Sequence, residues 1–224
     1  MVNLKVLVLT DCELGPTCIS SLLSSLQERH KPLENLSLGS NNMGNDGAVA
    51  LANYLDGQKK PILKVLDIKS NFVTEAGFMK LIPSLFSFAY GDGRLSPFRS
   101  LNISDNEIGQ AHKLLGQLIT TSSSLEVLDV SELGWRGKEQ AAFVEILRQS
   151  KSYTTLTHFA MNCSLNYHLH HSEKILKTLL DFPKLTHIEL VESIGSANAR
   201  DDWRAKADLE LKLTYREIDS ELDS

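Results

Sequence analysis

Cysteine is scarce in this chain of 224 residues. Cys12, Cys18 and Cys163 form an odd set at unrelated spacings. That excludes a disulfide framework as the organising device and points to a reducing, cytoplasmic setting. No run of about 18 apolar residues occurs, so no membrane-spanning helix is expected. The opening MVNLKVLVLTDC is not read as a signal peptide, because its Val6–Leu9 apolar core is short and Asp11 interrupts it. Positive charge is also in short supply. The formal net charge is −5 and the pI about 5.8, without the basic footprint that a nucleic-acid binder needs. Walker, GxSxG and Rossmann fingerprints are missing, so no cofactor is expected and no catalytic role is assigned.

What the chain has is a repeat. The pattern LxxLxL begins at Leu4, Leu33, Leu63, Phe98, Leu125, Leu156 and Leu185, with steps of 29, 30, 35, 27, 31 and 29 residues. Positions 1, 4 and 6 of each unit are apolar, and positions 4 and 6 share one face of a short strand. Three residues after position 6 stand Cys12, Asn41, Asn71 and Asn106, where a buried amide can satisfy backbone groups that leave the ladder. From the fifth unit on the slot holds Leu133, Ser164 and Ser193 instead. Further along each unit, apolar residues at i, i+3, i+4 and i+7 predict a helix face. They are Ile19, Leu22, Leu23 and Leu26 in the first unit and Phe78, Leu81, Ile82 and Leu85 in the third. A strand plus a helix at this period reads as a leucine-rich repeat solenoid, in which neighbours bury what one unit cannot.

The stretch NNMGNDGAVALANYL (Asn41–Leu55), with TEAGFMKLI (Thr74–Ile82), resembles the long repeat of the ribonuclease-inhibitor subfamily. NOD-like receptors and the Ran GTPase-activating protein share that repeat. The resemblance covers about residues 4–190 and implies an α/β horseshoe of about seven repeats, with parallel strands on the concave face and helices on the convex face. Residues 1–192 are expected to form the array and 193–224 a C-terminal capping segment. The extra length of the third unit falls near Tyr90–Ser96 and predicts an exposed loop. A polar helix over Ala197–Ala207 and an edge strand through Leu209, Leu211, Leu213 and Tyr215 are expected in the cap.

A solenoid of this kind offers a surface rather than a cleft, so the expected function is binding a protein partner. The concave columns carry Asp67, Lys69, Asn102, Asp105, Asp129, Glu132, His158, His187 and Glu189. Carboxylates outnumber cations there, which favours a partner with a basic surface. Aromatic side chains are absent from these columns. Trp135, Tyr153, Tyr167 and Trp203 fall near loops or ends, so a contact on the rim is the alternative. His158 and His187 occupy the same position of consecutive strands and should be neighbours, but their surroundings match no closed zinc motif and no metal is expected. His168, His170 and His171 are expected in a loop before a helix. The chain is expected to act as a monomer, without nucleic acid or membrane. A bacterial effector working in a host cytoplasm is one setting. Two alternatives are a regulator of a small GTPase, which the resemblance suggests without transferring any catalytic residue, and a scaffold fragment of a larger receptor.

Overall fold

The structure is a computed structural model. It describes residues 4–28, 32–58, 62–90, 98–122, 124–135, 137–162 and 169–193, with short strands at 211–212 and 215–216. The side chains of 86–90, 121, 169–173 and everything from 191 onward lie outside the description. So do the expected loop near 90–96, the polar helix over 197–207, and Leu209 and Leu213.

Strand and helix alternate along the array. The strands are β1 (Val6–Val8), β2 (Asn35–Ser37), β3 (Val65–Asp67), β4 (Ser100–Asn102), β5 (Val127–Val130), β6 (His158–Asn162) and β7 (His187–Ser193). Between them run α1 (Pro16–Gln27), α2 (Gly44–Asp56), α3 (Glu75–Tyr90), α4 (His112–Thr121), α5 (Gly137–Arg148) and α6 (Leu169–Leu180). The strands pair in chain order, all parallel, in one open sheet. β8 (Leu211–Lys212) and β9 (Tyr215–Arg216) both pair with β7. α6 begins before the position expected for it, so His170 and His171 stand in its first turn rather than in a preceding loop.

One register unites the core. Leu7, Leu36, Leu66, Leu101, Leu128, Phe159 and Ile188 are direct partners on successive strands. From Leu36 on each is buried, and the helix residues Ile19, Leu51, Phe78, Leu115, Phe143 and Leu179 close over them. Period-two and period-3.6 stripes thus meet in a continuous spine. Leu4, Leu7, Leu9, Leu14 and Leu22 are only partly buried, because β1 has a neighbour on one side only.

The asparagine slot explains how each turn leaves the sheet. Asn106 Nδ2 donates to the carbonyls of Ile68, Ile103 and Ser104 at 3.1, 3.0 and 3.0 Å. Its Oδ1 accepts from the amides of Asn71 and Val73 in the preceding repeat at 3.2 and 3.0 Å. Asn41 does the same for Cys12 and Leu14. Each side chain therefore serves two repeats, and Leu133 breaks the series because it has no amide to offer. Just before the slot the backbone turns left-handed. Asp11, Ser40, Ser70, Asp105 and Glu132 have φ of 57, 53, 51, 53 and 52°. Non-glycine residues seldom take this conformation, so its recurrence at one repeat position marks a built turn rather than local error of chemistry.

Candidate partner-binding surface

Alternate residues of each strand point away from the spine onto the concave face. In one column, Ser37, Asp67, Asn102, Asp129, Ala160 and Glu189 are register partners in order and are all half-buried. Carboxylates fall on alternate strands between neutral residues. At about 4.8 Å per strand, two of them lie roughly 10 Å apart, close to the screening length of physiological salt. Mutual repulsion is thus small while the face as a whole keeps a negative potential.

These polar side chains also hold the turns. Asp67 Oδ1 accepts from the Lys69 amide at 3.1 Å, and Asp129 Oδ1 accepts from the Ser131 amide at 3.0 Å. Asn102 makes the same bond to Ser104 N at 3.0 Å, so the local structure needs the amide-accepting oxygen and not the charge. Asp67 Oδ2 accepts from Ser37 Oγ at 2.9 Å, and Ser37 Oγ lies 3.0 Å from Thr10 Oγ1, a chain across three strands. Gly39 keeps this corner open: a Cβ there would meet Lys69 Cγ at 3.0 Å and the Asp67 carboxylate at 3.2 Å. Among the described residues Asp67, Lys69, Asp105 and Asp129 enter no salt bridge.

Other expected residues divide. Asp105 is exposed and Glu132 half-buried, and both sit in the left-handed turn at the edge of the strand face. Asn162 accepts a hydrogen bond from the Glu132 amide, reaching back from the end of β6. Glu189 is the backbone register partner of Lys212 on β8. His158 and His187 do meet, as stacked rings. Trp135 and Tyr153 are packing residues rather than free rim aromatics. The Trp135 ring centroid lies 4.7 Å from that of Phe143, and Tyr153 meets Phe182 edge to face while its hydroxyl donates to the Asp181 carbonyl. Tyr167 and Trp203 lie outside the described residues.

Two features escape a reading of the concave columns alone. The second residue of each of the first five repeats is charged, and these residues pair along the strand edge. Glu34 lies 2.8 Å from Lys5 and 2.6 Å from Lys64, and Arg99 pairs with Glu126 at 3.2 Å. Hydrogen bonds from Lys5 and then Lys64 pull the Glu34 carboxyl down to about 2. The alternation Lys5, Glu34, Lys64 at one repeat position is the signal that would have found it. The other is Phe72. It follows Asn71, is 73% exposed, and holds φ of +54°. Glu13, one residue after the slot in the first repeat, holds the same φ of +54°, so the conformation belongs to the turn; what sets Phe72 apart is an aromatic ring displayed to solvent there. The neighbouring turn carries Asp105 and Glu107, both exposed, with the Glu107 amide donating to Val73 O at 2.9 Å. An aromatic ring on the rim is thus placed next to the acidic edge.

Comparison with known proteins agrees with this geometry. Residues 30–52, which hold β2 and the first part of α2, match the family model described as a leucine-rich repeat. Among solved structures the chain is similar to the protein titled leiomodin-1 actin-binding site 2. The match has 14% identity and a TM-score of 0.54, and covers 72% of this chain and 88% of that one. A comparison with curated proteins returned no match.

Proposed function

We propose that this leucine-rich repeat solenoid is a protein-interaction module without catalysis of its own. Its partner would present an Arg/Lys-rich segment to the concave face and to the rim at Phe72. The exposure of Phe72 in a left-handed turn carries the reading. Exposed aromatics rimmed by polar groups are common interface anchors. Around it, Asp67, Asp105 and Asp129 supply unpaired negative charge that speeds the approach of a basic surface. An aliphatic-stemmed cation suits both parts, because its charge meets the carboxylates and its stem or guanidinium lies on the ring.

The long helical return of each repeat supports the ribonuclease-inhibitor-like subtype. A cytoplasmic location is supported by exposed, free Cys12 and Cys18. At 14% identity the likeness to the leiomodin-1 domain carries the fold and not its actin partner. A GTPase-regulating role finds no support in the repeat asparagines, whose side chains are spent on backbone bonds inside the spine.

The charge component has a clean test. Asp67→Asn, Asp105→Asn and Asp129→Asn together remove three charges and keep the turn bonds, since Asn102 already makes the same contact and Asn tolerates the left-handed position of Asp105. Surface-plasmon measurement against a purified partner is expected to show association slowed about tenfold, with dissociation nearly unchanged. Unaltered association at low salt in the triple variant would remove the acidic face from the interface.

A further inference from the structure

The fifth repeat departs from its neighbours in one small region. Leu133 stands in the asparagine slot. Trp135 takes the next apolar position, where Met43, Val73 and Ile108 are fully buried, yet Trp135 is only half-buried. Gln140 takes the helix position held elsewhere by Ile19, Ala48 and Phe78, and it is 3% exposed. Two side chains with polar atoms thus replace purely apolar ones at core positions of the same repeat. They touch, because Gln140 Nε2 donates to the Trp135 carbonyl at 3.3 Å.

The fold does not satisfy the rest of their polar atoms. Among the described residues, the buried side-chain atoms without a hydrogen-bond partner are Trp135 Nε1, Gln140 Oε1, Glu139 Oε2 and Ser122 Oγ. All but the last come from one short segment. Such atoms are rare in folded proteins, because each has given up water without a replacement. A repeat built only for packing would keep an apolar pair here, as the third repeat does with Val73 and Phe78. The segment also borders open space. Trp135 and Gln140 line one cavity of about 250 Å³ together with Val130, Leu133 and Met161. Trp135 and Glu139 line a second of about 310 Å³, and Gly134 is common to both. A Cβ on Gly134 would meet nothing within 4 Å, so the turn itself does not close the space.

We propose that this region is a binding site for a primary carboxamide, best carried on a small flat apolar body. The donor and acceptor inventory selects the group. Trp135 Nε1 only donates, while Gln140 Oε1 and the Glu139 carboxylate only accept. A carboxamide oxygen meets the indole N–H, and its NH₂ supplies hydrogens to the acceptors. A carboxylate brings acceptors alone and would face two further oxygens. An ammonium or guanidinium brings donors alone and leaves the indole N–H unmet. Val130, Leu133 and Met161 provide the apolar wall. An apolar cavity of about 150 Å³ holds benzene, so about 250 Å³ takes one ring with its amide. The same group can arrive on a free aromatic carboxamide or on a glutamine side chain of a bound protein.

The test follows the indole N–H of Trp135 in ¹⁵N–¹H spectra of the full chain, assigned with Trp203→Phe. Benzamide, benzoate, toluene and N-acetylglutamine methylamide are added in separate titrations. Benzamide is expected to move the resonance saturably, with benzoate and toluene at least tenfold weaker. Gln140→Met, which keeps the side-chain length and removes the acceptor, is expected to weaken benzamide at least tenfold and to leave toluene unchanged. Tighter binding of the glutamine derivative than of benzamide assigns the site to a partner's side chain, and the reverse order to a free ligand; either supports the carboxamide site. An indole resonance that benzamide leaves in place, as a site served by water alone would give, overturns the proposal. So does toluene binding as tightly as benzamide, a comparison that needs no variant, or benzamide binding Gln140→Met as it binds the parent chain.

Discussion

Replacing Asn106 by leucine is expected to lower the free energy of unfolding by about 4 kcal/mol. The size follows from which groups lose their only partner. The carbonyl of Ile68 keeps a second donor in Asn71 Nδ2, and the carbonyl of Ser104 keeps the Ser70 amide. The amides of Asn71 and Val73 have no such reserve, and both residues are fully buried. Two orphaned buried donors at about 1–3 kcal/mol each, with the lost Ile103 bond, reach the stated figure. Leucine branches at Cγ as asparagine does and leaves no cavity, and its larger volume adds an overpacking cost to the lost hydrogen bonds. Exposed Asn53 on α2 supplies the control, where the same substitution should change stability by less than about 0.5 kcal/mol. Urea unfolding followed by circular dichroism measures both. A loss below about 1 kcal/mol for Asn106→Leu would mean that the slot is not what closes these turns.

Phe72→Asn is expected to separate binding from folding. Asparagine takes the left-handed conformation more readily than phenylalanine, and the exposed ring contributes no burial to the fold. Stability should stay the same or rise by about 0.5 kcal/mol. An aromatic anchor at an interface is commonly worth about 2 kcal/mol or more, so partner affinity should fall roughly thirtyfold, chiefly through faster dissociation. The contrast with the Asp67, Asp105 and Asp129 triple variant is informative, since that change acts on approach and this one on residence. Equal partner affinity in Phe72→Asn and the parent chain would show that the rim ring lies outside the contact.

The spine was legible because two periodicities report it independently. Leu36, Leu66 and Leu101 recur at the strand positions, and Leu51, Phe78 and Leu115 recur at the helix positions; neither depends on exact turn geometry. The asparagine slot was legible for the same reason, since a polar residue recurring inside an apolar frame has to serve the backbone. The turn beside it was not. Ser40, Ser70 and Glu132 carry no residue-type signature of a left-handed backbone, and only the geometry of leaving the sheet imposes it. Asp67 and Asp129 looked like free charge in the sequence, yet each also accepts an amide hydrogen two residues on. Phe72 was invisible as a candidate because it occupies a slot outside the strand columns, where Glu13 and Glu107 stand in other repeats. Trp135 misled in the opposite way. Its place near a loop suggested a rim contact, but the ring closes over Phe143 where Leu133 interrupts the asparagine series.

Where a partner touches this solenoid is read most directly by a photo-crosslinking side chain placed at Val127 or at Met79. Val127 is exposed on the strand face of β5, two residues before Asp129, and Met79 is exposed on the convex helix α3. Both are apolar surface positions, so the two probes perturb the fold alike. The expected result is a covalent adduct with one partner from Val127 and none from Met79. An adduct from Met79 with none from Val127 would contradict binding through the concave face.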